Sequence, residues 1–268
     1  MKYALLDTDF ISKTYAVRID DDNHLIDRVL EMPGYSFVCH EQTEEELYRY
    51  NSLAPAWLEK KIKNGNIDRY TDERILSEMS GVFARIAPYQ FTNMLRTACD
   101  AFDSAYFSEH YADLEKLNYT ELSIKDYLTK LHTLDSGIGQ GKNLGEIKAY
   151  VLLQWLSIQY GEQLFYFCSD DKDARNGILA VEDLDVRCIT LVSIYQRLHV
   201  ECSCTEETEK PYIDAVLRFF NESGQENIRV IEAGKVGRFL RVPCEQVLKE
   251  IYEDKFEELA NGFLKYRN

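Results

Sequence analysis

The sequence predicts an α/β protein with a parallel sheet of four or five strands flanked by helices. Short apolar runs end abruptly at polar or acidic residues, as buried parallel strands do at the edge of a sheet. Segments with a helical spacing of apolar residues separate these runs, which indicates successive βαβ units. A long helical stretch and a polar segment then interrupt the alternation. We therefore also expect a helical insert and a small C-terminal α+β appendage.

Four apolar runs are predicted to form the parallel strands. They cover residues 3–6, 35–39, 164–168 and, more weakly, 186–191. Apolar residues with helical spacing lie between them, including Leu25, Val29, Leu47, Ile147, Val151 and Trp155. In open parallel sheets the binding site lies outside the carboxyl ends of the strands. The residues that follow these runs are therefore the first candidates for a site.

The alternation stops between about residues 51 and 140, where a helical insert is predicted. Apolar residues such as Phe91, Met94 and Leu95 keep a helical spacing through this stretch, which is too long for a loop. The glycine-rich segment that closes it contains Gly137, Gly139 and Gly141. No G-K-S/T sequence follows, so we interpret the segment as a flexible connection rather than a phosphate-binding loop.

The polar run TEETEK marks the predicted domain boundary. The α/β domain then covers residues 1–205, and the appendage covers residues 206–268. In the appendage we expect a helix followed by two strands, at residues 227–232 and 238–242. A last helical stretch is predicted at residues 243–263, opened by a proline.

The composition narrows the classes of function. The chain has 268 residues, seven cysteines and a net charge of −15, and no apolar stretch approaches a membrane span. An odd number of cysteines without a signal peptide favours a reducing compartment, so we expect a cytoplasmic protein with no membrane association. Cys202 and Cys204 beside His199 lack a second ligand pair and are interpreted as ordinary thiols. A nucleic-acid partner would need a local basic surface or a metal-filled acidic site, because the net charge repels polyanions.

Four carboxylates are predicted to converge on one edge of the sheet. Asp7 directly follows the first strand, and Asp170 follows the third. Glu46 lies near the start of the helix after the second strand, and Glu146 opens the helix before the third. Because both helices run antiparallel to the strands, their first turns lie at the carboxyl edge as well. Taken singly, each side chain also fits a helix cap or a favourable position in the helix macrodipole.

As a set, the four carboxylates indicate a metal site. Two carboxylates about 4 Å apart repel by roughly 4 kcal/mol at an effective dielectric of about 20, so a cluster needs protonation or a cation. Oxygen ligands without paired histidines or cysteines favour Mg²⁺ or Mn²⁺. Such a cation can activate water and neutralise a phosphate oxygen, which is the chemistry of phosphodiester hydrolysis. The predicted outer-shell groups are Thr8, Asp9, Glu45 and Ser169.

The first two acidic motifs resemble those of the PIN-domain family of nucleases. LLDTDFIS, at residues 5–12, looks like the opening strand of that family with its aspartate, Asp7. TEEEL, at residues 43–47, resembles the early helical glutamate and places it on Glu46. The resemblance implies that both residues are metal ligands.

The last two motifs follow in the order of the same family. LGEIKAYVL, at residues 144–152, is similar to the third acidic position and places it on Glu146. SDDKDAR, at residues 169–175, resembles the closing acidic motif, in which Asp170 would be the first metal ligand. The next ligands of that motif would be Asp171 or Asp173.

The resemblance covers most of residues 1–200 and implies a function. It implies cleavage of single-stranded RNA with Mg²⁺ or Mn²⁺, often by the toxin of a toxin–antitoxin pair. The implied catalytic residues are Asp7, Glu46, Glu146 and Asp170. The helical insert and the appendage depart from the compact toxins, so an antitoxin, another protein partner and a homodimer stay open.

Two other interpretations stay open. In a haloacid-dehalogenase-type phosphatase, Asp7 would be the nucleophile and Asp9 the acid of a D-x-D motif. That family expects a threonine where this chain has Ile11, and the TEEEL helix would have no role. The other alternative is a catalytically inactive PIN-like interaction module that lacks a basic path to the metal edge. The motifs favour the nuclease.

Basic residues offer a path for nucleic acid. The predicted contacts are Lys60, Lys61, Lys63, Lys172 and Arg175. The three lysines of residues 60–63 lie close to aromatic residues that can stack on bases, although the same lysines also fit a solvated helix face. Lys172 and Arg175 lie nearest the predicted metal edge.

Overall fold

The strands and helices are defined over most of the chain. The computed structural model describes residues 1–50, 53–139, 143–161, 163–180, 185–235 and 237–267. Its strands are β1 (Lys2–Leu6), β2 (Tyr35–His40), β3 (Ile67–Tyr70), β4 (Leu164–Cys168), β5 (Val186–Ile189), β6 (Asn227–Ile231), β7 (Phe239–Pro243), β8 (Phe256–Glu258) and β9 (Leu264–Tyr266). Its α-helices are α1 (Thr8–Ala16), α2 (Leu25–Leu30), α3 (Glu41–Tyr50), α4 (Ala54–Lys63), α5 (Asp72–Phe83), α6 (Ala87–Phe102), α7 (Tyr106–His110), α8 (Ile124–Ser136), α9 (Leu144–Tyr160), α10 (Lys172–Leu179), α11 (Ser193–Cys202), α12 (Glu206–Glu222) and α13 (Cys244–Tyr252). Short 3₁₀ helices cover Ala84–Ile86 and Ala112–Lys116.

The first five strands form one parallel sheet in the order β3-β2-β1-β4-β5. β1 lies at its centre, where Lys2 is opposite Tyr35 of β2 on one side and Leu164 of β4 on the other. β3 pairs with β2 and β5 pairs with β4, again in parallel. The predicted α/β class is confirmed: a parallel sheet flanked by helices. The carboxyl ends of all five strands therefore share one edge.

The predicted helical insert contains the fifth strand. β3 lies within residues 51–140 and pairs with β2 from Phe37 opposite Ile67 to His40 opposite Tyr70. The expectation that the strand and helix alternation stops near residue 51 is therefore wrong. Only Ile67 and Tyr70 of the four strand residues are buried, because β3 is an edge strand. The run consequently lacks the continuous apolar character by which the other strands were predicted.

The remainder of the insert is helical and comprises α4 before β3 and α5 to α8 after it. Gly137 occupies the C-cap position of α8, in keeping with a predicted connection after this helix. Gly141 lies outside the described residues, and so do residues 51–52 and 140 at the predicted ends of the insert.

The two faces of the parallel sheet carry separate hydrophobic clusters. Strand residues alternate between faces, so Leu6 packs into one cluster and Leu5 into the other. The first cluster joins α1 to α4, α11 and the C-terminal segment, and the second joins α5 to α10. Helices α5 to α8 of the insert therefore belong to one helical layer together with α9 and α10, whereas α4 belongs to the other. Helix α8 also reaches the carboxyl edge of the sheet.

The C-terminal segment forms a second sheet in the order β7-β6-β9-β8. β6 and β7 are antiparallel and correspond to the two predicted strands at residues 227–232 and 238–242. β9 lies parallel to β6 and antiparallel to β8. The segment packs on the α/β fold through the first cluster, which includes Val216, Val230 and Val247.

The last predicted helical stretch, at residues 243–263, is wrong beyond α13. This helix ends at Tyr252, and the chain then turns at Asp254 and at Gly262, whose φ values are 59° and 78°. A positive φ cannot continue a right-handed helix. The apolar residues between these turns have a spacing that fitted a helix, but Phe256 belongs to β8, which pairs with β9.

Among the described residues, no helix is both long enough and apolar enough to cross a membrane.

All seven cysteines are free thiols. Cys204 Sγ accepts a hydrogen bond from Arg28 Nη2 at 3.0 Å, and His199 Nδ1 lies 2.9 Å from the Cys204 carbonyl oxygen. These contacts fit the interpretation of ordinary thiols.

Candidate active site

A cavity of about 780 Å³ opens at the carboxyl edge of the parallel sheet. Its walls come from the ends of β1, β2 and β4, from the first turns of the helices that follow them, and from α8 of the insert. The titratable groups that line it are Asp7, Asp9, His40, Glu41, Glu45, Glu46, Arg49, Asp72, His132, Asp135, Glu146, Lys148 and Asp171. Three of the four predicted carboxylates, Asp7, Glu46 and Glu146, therefore meet in one place.

Asp7 is held by the end of β1 and the start of α1. It is the N-cap of α1: its Oδ1 accepts a hydrogen bond from the Thr8 backbone N–H at 2.8 Å, and its Oδ2 accepts one from Ser169 Oγ at 2.7 Å. Burial raises the pKa of Asp7 to about 8, the Ser169 hydrogen bond opposes this rise, and the charge of Glu146 adds to it. Asp7 is therefore the helix cap that its position after β1 predicts, and it also lines the cavity.

Glu46 projects from α3 across the cavity toward Asp7. The Thr8 hydroxyl donates a hydrogen bond to Glu46 Oε2 at 2.7 Å, so Thr8 connects the two carboxylates. Burial raises the pKa of Glu46 against this hydrogen bond. A side chain at Gly145 would place its Cβ 2.6 Å from both Glu46 carboxylate oxygens. Gly145 thus creates the space that Glu46 occupies at the start of α9.

Glu146 and Asp171 complete the acidic wall from two helix starts. Glu146 lies in the first turn of α9, and burial together with the charges of Glu46 and Asp171 raises its pKa. Asp171 is exposed and caps α10: its Oδ1 accepts hydrogen bonds from the Asp173 and Ala174 backbone N–H groups at 2.7 and 3.0 Å. One Asp171 oxygen is used for the cap, and the residue lies at the cavity mouth.

Asp170, the predicted fourth ligand, lies on the other side of this turn. Its Oδ1 accepts a hydrogen bond from the Leu191 backbone N–H at 2.7 Å, and its Oδ2 lies 3.6 Å from Lys13 Nζ. Asp170 consequently lines a second cavity, whereas Asp171 lines the first. The end of β5 needs a partner for its free N–H, and the first carboxylate after β4 supplies it. Asp171, and not Asp170, therefore shares the cavity with Asp7, Glu46 and Glu146.

The predicted outer-shell residues have different partners. Thr8 and Ser169 bind Glu46 and Asp7 directly, as described above. Asp9 lines the cavity, but its Oδ2 pairs with Lys13 Nζ at 2.9 Å. Glu45 lies in the cavity wall and is exposed. Asp173 is exposed on α10 and is not a lining residue.

The acidic wall has no built-in counter-charge. Among the described residues, Asp7, Glu46 and Glu146 form no salt bridge; burial raises the pKa of Glu46, and the charge of Arg49 only opposes this rise. Buried carboxylates without a paired cation are costly unless they are protonated or bind a metal. The donor set is all oxygen, which suits Mg²⁺ or Mn²⁺. The chemistry of these residues therefore fits a hard divalent cation, but among the described residues no three of these carboxylates offer oxygens that all lie within 4.8 Å of one another, so binding would have to draw them together.

A buried ion network, which the sequence analysis did not find, forms the wall next to these carboxylates. Lys148 Nζ lies 2.6 Å from Asp72 Oδ2 and 2.8 Å from Asp135 Oδ2, and only 1% of the lysine side chain is exposed. His40 Nε2 lies 3.3 Å from Asp72 Oδ1. The Tyr111 hydroxyl donates to Asp135 Oδ1 at 2.6 Å. Although burial alone would raise it, Lys148 and His40 hold the pKa of Asp72 well below its usual range.

Among the described residues, only one group of three or more potential metal ligands has ligand atoms that all lie within 4.8 Å of one another. It consists of His40, Glu41 and Asp72, and it belongs to this network. This group does not suit a cation. Lys148 already neutralises Asp72, the Gln42 backbone N–H donates to His40 Nδ1, and Glu41 Oε1 accepts the Asp72 backbone N–H. An ammonium at 2.6 Å would repel a metal ion. We interpret the group as a structural ion pair with its supporting hydrogen bonds.

The signals for this network were weak in the sequence. Lys148 occurs in LGEIKAYVL two residues after Glu146, where a lysine suggests an exposed helix face. Its partners come from sequence positions far apart, Asp72 at a separation of 76 residues. The only signal was the apolar run at residues 35–39, which ends at His40 and so places this histidine at the carboxyl edge of the sheet.

The predicted basic contacts lie elsewhere. Lys61 Nζ pairs with Asp27 Oδ1 at 2.8 Å, and Lys60 and Lys63 are exposed on α4. Lys172 is exposed on α10. Arg175 is buried: its Nη1 donates to the Ser169 carbonyl oxygen at 3.0 Å, and it lines the second cavity. None of these five side chains lines the carboxylate cavity, where Arg49 and Lys148 are the basic residues.

Comparisons of this chain with protein-family models, with curated proteins and with solved structures found no significant match. The parallel sheet and the arrangement of carboxylates at its edge thus stand on the geometry of this chain. The resemblance to PIN-domain nucleases stays a prediction from the four acidic motifs.

Proposed function

We propose that the chain is a metal-dependent endoribonuclease that hydrolyses phosphodiester bonds of single-stranded RNA. The observation that carries the proposal is the meeting of Asp7, Glu46, Glu146 and Asp171 in one cavity at the carboxyl edge of the sheet. Their order along the chain is that of the acidic motifs in the family they resemble. A divalent cation bound there would lower the pKa of bound water and neutralise charge on a phosphate oxygen.

The other cavity residues have defined roles in the proposal. The hydroxyls of Thr8 and Ser169 fix the orientations of Glu46 and Asp7, which reduces the reorganisation needed to bind a cation. Arg49 lines the cavity and forms no salt bridge with a described residue, so its guanidinium is available to a substrate phosphate. Lys148 is committed to Asp72 and Asp135 and holds the adjacent wall in place.

A phosphatase is the second candidate, because Asp7 and Asp9 both line the cavity in a D-x-D arrangement. Burial also raises the pKa of Asp9, against the hydrogen bond and charge of Lys13, which suits a general acid. The pairing of Asp9 with Lys13 at 2.9 Å and the presence of Ile11 at the position of the expected threonine weigh against it.

The test is a parallel assay on two substrates with manganese. A circular single-stranded RNA has no ends, so its conversion to linear products reports endonucleolytic cleavage, while p-nitrophenyl phosphate reports monoester hydrolysis. We expect cleavage of the RNA, its loss in EDTA, and a decrease on the order of a hundredfold or more in Asp7→Asn. Asp173→Asn is the matched control, since Asp173 is exposed at the neighbouring turn.

The two substrates separate the alternatives. Release of nitrophenol that Asp7→Asn abolishes, with the RNA intact, would assign a phosphatase. Intact substrates in both assays, with normal folding of the parent, would leave an inactive module.

A further inference from the structure

Two arginines face each other on the exposed side of the C-terminal sheet. Arg229 of β6 and Arg241 of β7 are direct partners in the antiparallel register, and both are exposed. Like charges directly opposite each other destabilise a strand pair. Neither guanidinium forms a salt bridge with a described residue. The fold therefore gains nothing from this pair, which points to a binding role.

The absence of partners contrasts with the rest of this hairpin. At its turn, Lys235 and Arg238 both pair with Glu232, at 3.1 and 3.0 Å. The chain has 46 acidic and 31 basic residues, so carboxylates are abundant partners for its cations. Arg229 and Arg241 have no such carboxylate partner, unlike the two cations at the turn of the same hairpin.

The pair lines a cavity of about 530 Å³ between the C-terminal sheet and the α/β fold. A third arginine, Arg175, is buried in its wall. Two carboxylates also line it, Asp170 and Glu226. The Asp170 oxygens face the Leu191 N–H and Lys13, as described above. The cavity consequently presents two exposed guanidinium groups, those of Arg229 and Arg241, and only one carboxylate without such partners, that of Glu226. The Arg175 guanidinium is buried and binds the Ser169 carbonyl oxygen.

This cavity adjoins the carboxylate cavity. The consecutive residues Asp170 and Asp171 line different cavities, so the turn after β4 separates the two. Arg175 donates to the Ser169 carbonyl oxygen at 3.0 Å, while the Ser169 hydroxyl binds Asp7. An anionic chain bound in this cavity would therefore lie next to the turn after β4, which carries Asp171 of the acidic wall.

Aromatic side chains lie on the same side of this sheet. Phe239 is opposite Ile231 and two residues before Arg241 on β7, and 46% of its surface is exposed. Its ring lies 5.4 Å from the ring of Phe263, over which the Arg175 guanidinium lies at 5.7 Å. Arginines next to exposed aromatic rings are typical of surfaces that bind single-stranded nucleic acid, since the cations contact phosphates and the rings stack on bases.

We propose that the arginine pair Arg229 and Arg241, together with Phe239, binds a single-stranded RNA segment beside the carboxylate cavity. The choice of RNA as the polyanion rests on the proposed function. The C-terminal appendage would then hold the substrate and deliver an adjoining phosphodiester to the acidic wall. A positive patch of this kind offsets the repulsion that a net charge of −15 exerts on RNA.

The experiment measures binding without cleavage. Fluorescence anisotropy with labelled oligouridylate in EDTA compares the parent with Arg229→Ala/Arg241→Ala and with Phe239→Ala. We expect the double variant to bind about tenfold more weakly or worse, and its salt dependence, log K against log salt, to be shallower by about 1.4, for two lost single-strand phosphate contacts. Phe239→Ala should weaken binding at least about fivefold. Arg85→Ala is the matched control, an exposed arginine in a 3₁₀ helix that forms no salt bridge with a described residue.

Three results would overturn the proposal. They are binding by the double variant equal to that of the parent, no binding of oligouridylate by the parent, and displacement of the RNA by polyglutamate at equal concentration. The last result would identify a site for acidic protein segments. Melting curves check the fold, and the double variant should melt at or above the parent because a like-charge pair is removed.

Cleavage with manganese keeps this proposal distinct from the nuclease proposal. If the parent binds oligouridylate through the arginines but cleaves no RNA, the nuclease fails and the binding site stands. If the parent cleaves RNA and the double variant cleaves it with an unchanged KM, the binding site fails and the nuclease stands.

Discussion

Asp7 and Asp72 lie in walls of the same cavity with only 8% and 2% of their surfaces exposed, yet they are opposite in electrostatic character. Asp7 has hydroxyl and amide partners but no cation, and its pKa is raised to about 8. Asp72 has Lys148 at 2.6 Å and His40 at 3.3 Å, and its pKa is lowered. Burial therefore does not distinguish the proposed metal site from the structural ion pair. The presence or absence of a cation supplied by the chain distinguishes them.

The ion network also supports the elements that carry the acidic wall. The ion network ties the end of β2, the start of α5, α8 and α9 together beside the wall. Glu146 and Lys148 are two residues apart on α9, so the helix that presents one carboxylate to the cavity is anchored by the lysine below it. A rigid neighbour thus supports a charged region that is unfavourable by itself.

The largest expected effect comes from removing the cation of the network. Lys148→Met leaves Asp72 and Asp135 buried and unpaired, and breaking a buried pair in this way costs about 3 to 5 kcal/mol. Denaturation by urea at neutral pH measures the free energy of unfolding. Lys172→Met, at an exposed position, is the control and should change it by less than about 0.5 kcal/mol. A cost for Lys148→Met as small as that of the control would show that the network does not stabilise the fold.

The next effect concerns the fourth carboxylate and tests Asp171 against Asp170. Manganese at a hundred times its dissociation constant should stabilise the parent by about 2.7 kcal/mol, or roughly 5 to 10 °C in melting temperature. Asp171→Asn should lose most of this shift, because asparagine still caps α10 but is a poorer ligand. Asp170→Asn should keep it. The reverse result, with the shift lost only in Asp170→Asn, would restore the ligand predicted from the sequence.

A smaller effect is expected from the pH dependence of the metal-free protein. A carboxyl whose pKa is raised on folding binds its proton more tightly in the folded state, so its contribution is full below the unfolded pKa of about 4 and is lost as pH rises toward about 8. In EDTA, Asp7→Asn should therefore be more stable than the parent by about 1 to 3 kcal/mol near pH 8, and the difference should shrink toward pH 4. Urea denaturation across this range measures it. A difference that does not change with pH would mean that Asp7 stays ionised in the folded protein.

The smallest effect on stability is expected for Gly145→Ala. The new Cβ would lie 2.6 Å from the Glu46 carboxylate oxygens, so the flexible end of the Glu46 side chain must move. The gain in helix propensity offsets part of this cost, and stability should stay within about 1 kcal/mol of the parent. Manganese affinity, from calorimetric titration, should nevertheless decrease about tenfold or more. Gly81→Ala is the control, because there is open space around Gly81. Gly177 is unsuitable as a control, because a Cβ there would lie 2.2 Å from the Phe102 ring.

Much of the fold followed from the sequence because buried parallel strands have a strong local signature. Continuous apolar runs that end at polar residues identified β1, β2, β4 and β5, and their parallel arrangement placed Asp7 at the carboxyl edge. The segments β3 and β8–β9 were missed or assigned to a helix. These segments are short and partly exposed, or their apolar residues have a helical spacing. Only the pairing of β3 with β2, of β9 with β6 and of β8 with β9 makes them strands.

The sequence by itself determined that acidic residues gather at one edge, since strand ends and helix starts in a parallel fold lie together. Only the tertiary structure decided which of them share a cavity. Asp170 and Asp171 are neighbours in sequence, but a hydrogen bond to the Leu191 N–H turns one aside and leaves the other at the cavity mouth. Lys148 meets Asp72 across 76 residues, and Arg229 meets Arg241 through strand register. The sequence determines where the carboxyl groups are along the chain. Contacts between distant segments determine which groups surround each of them, and these neighbours set its pKa and its capacity to bind a cation.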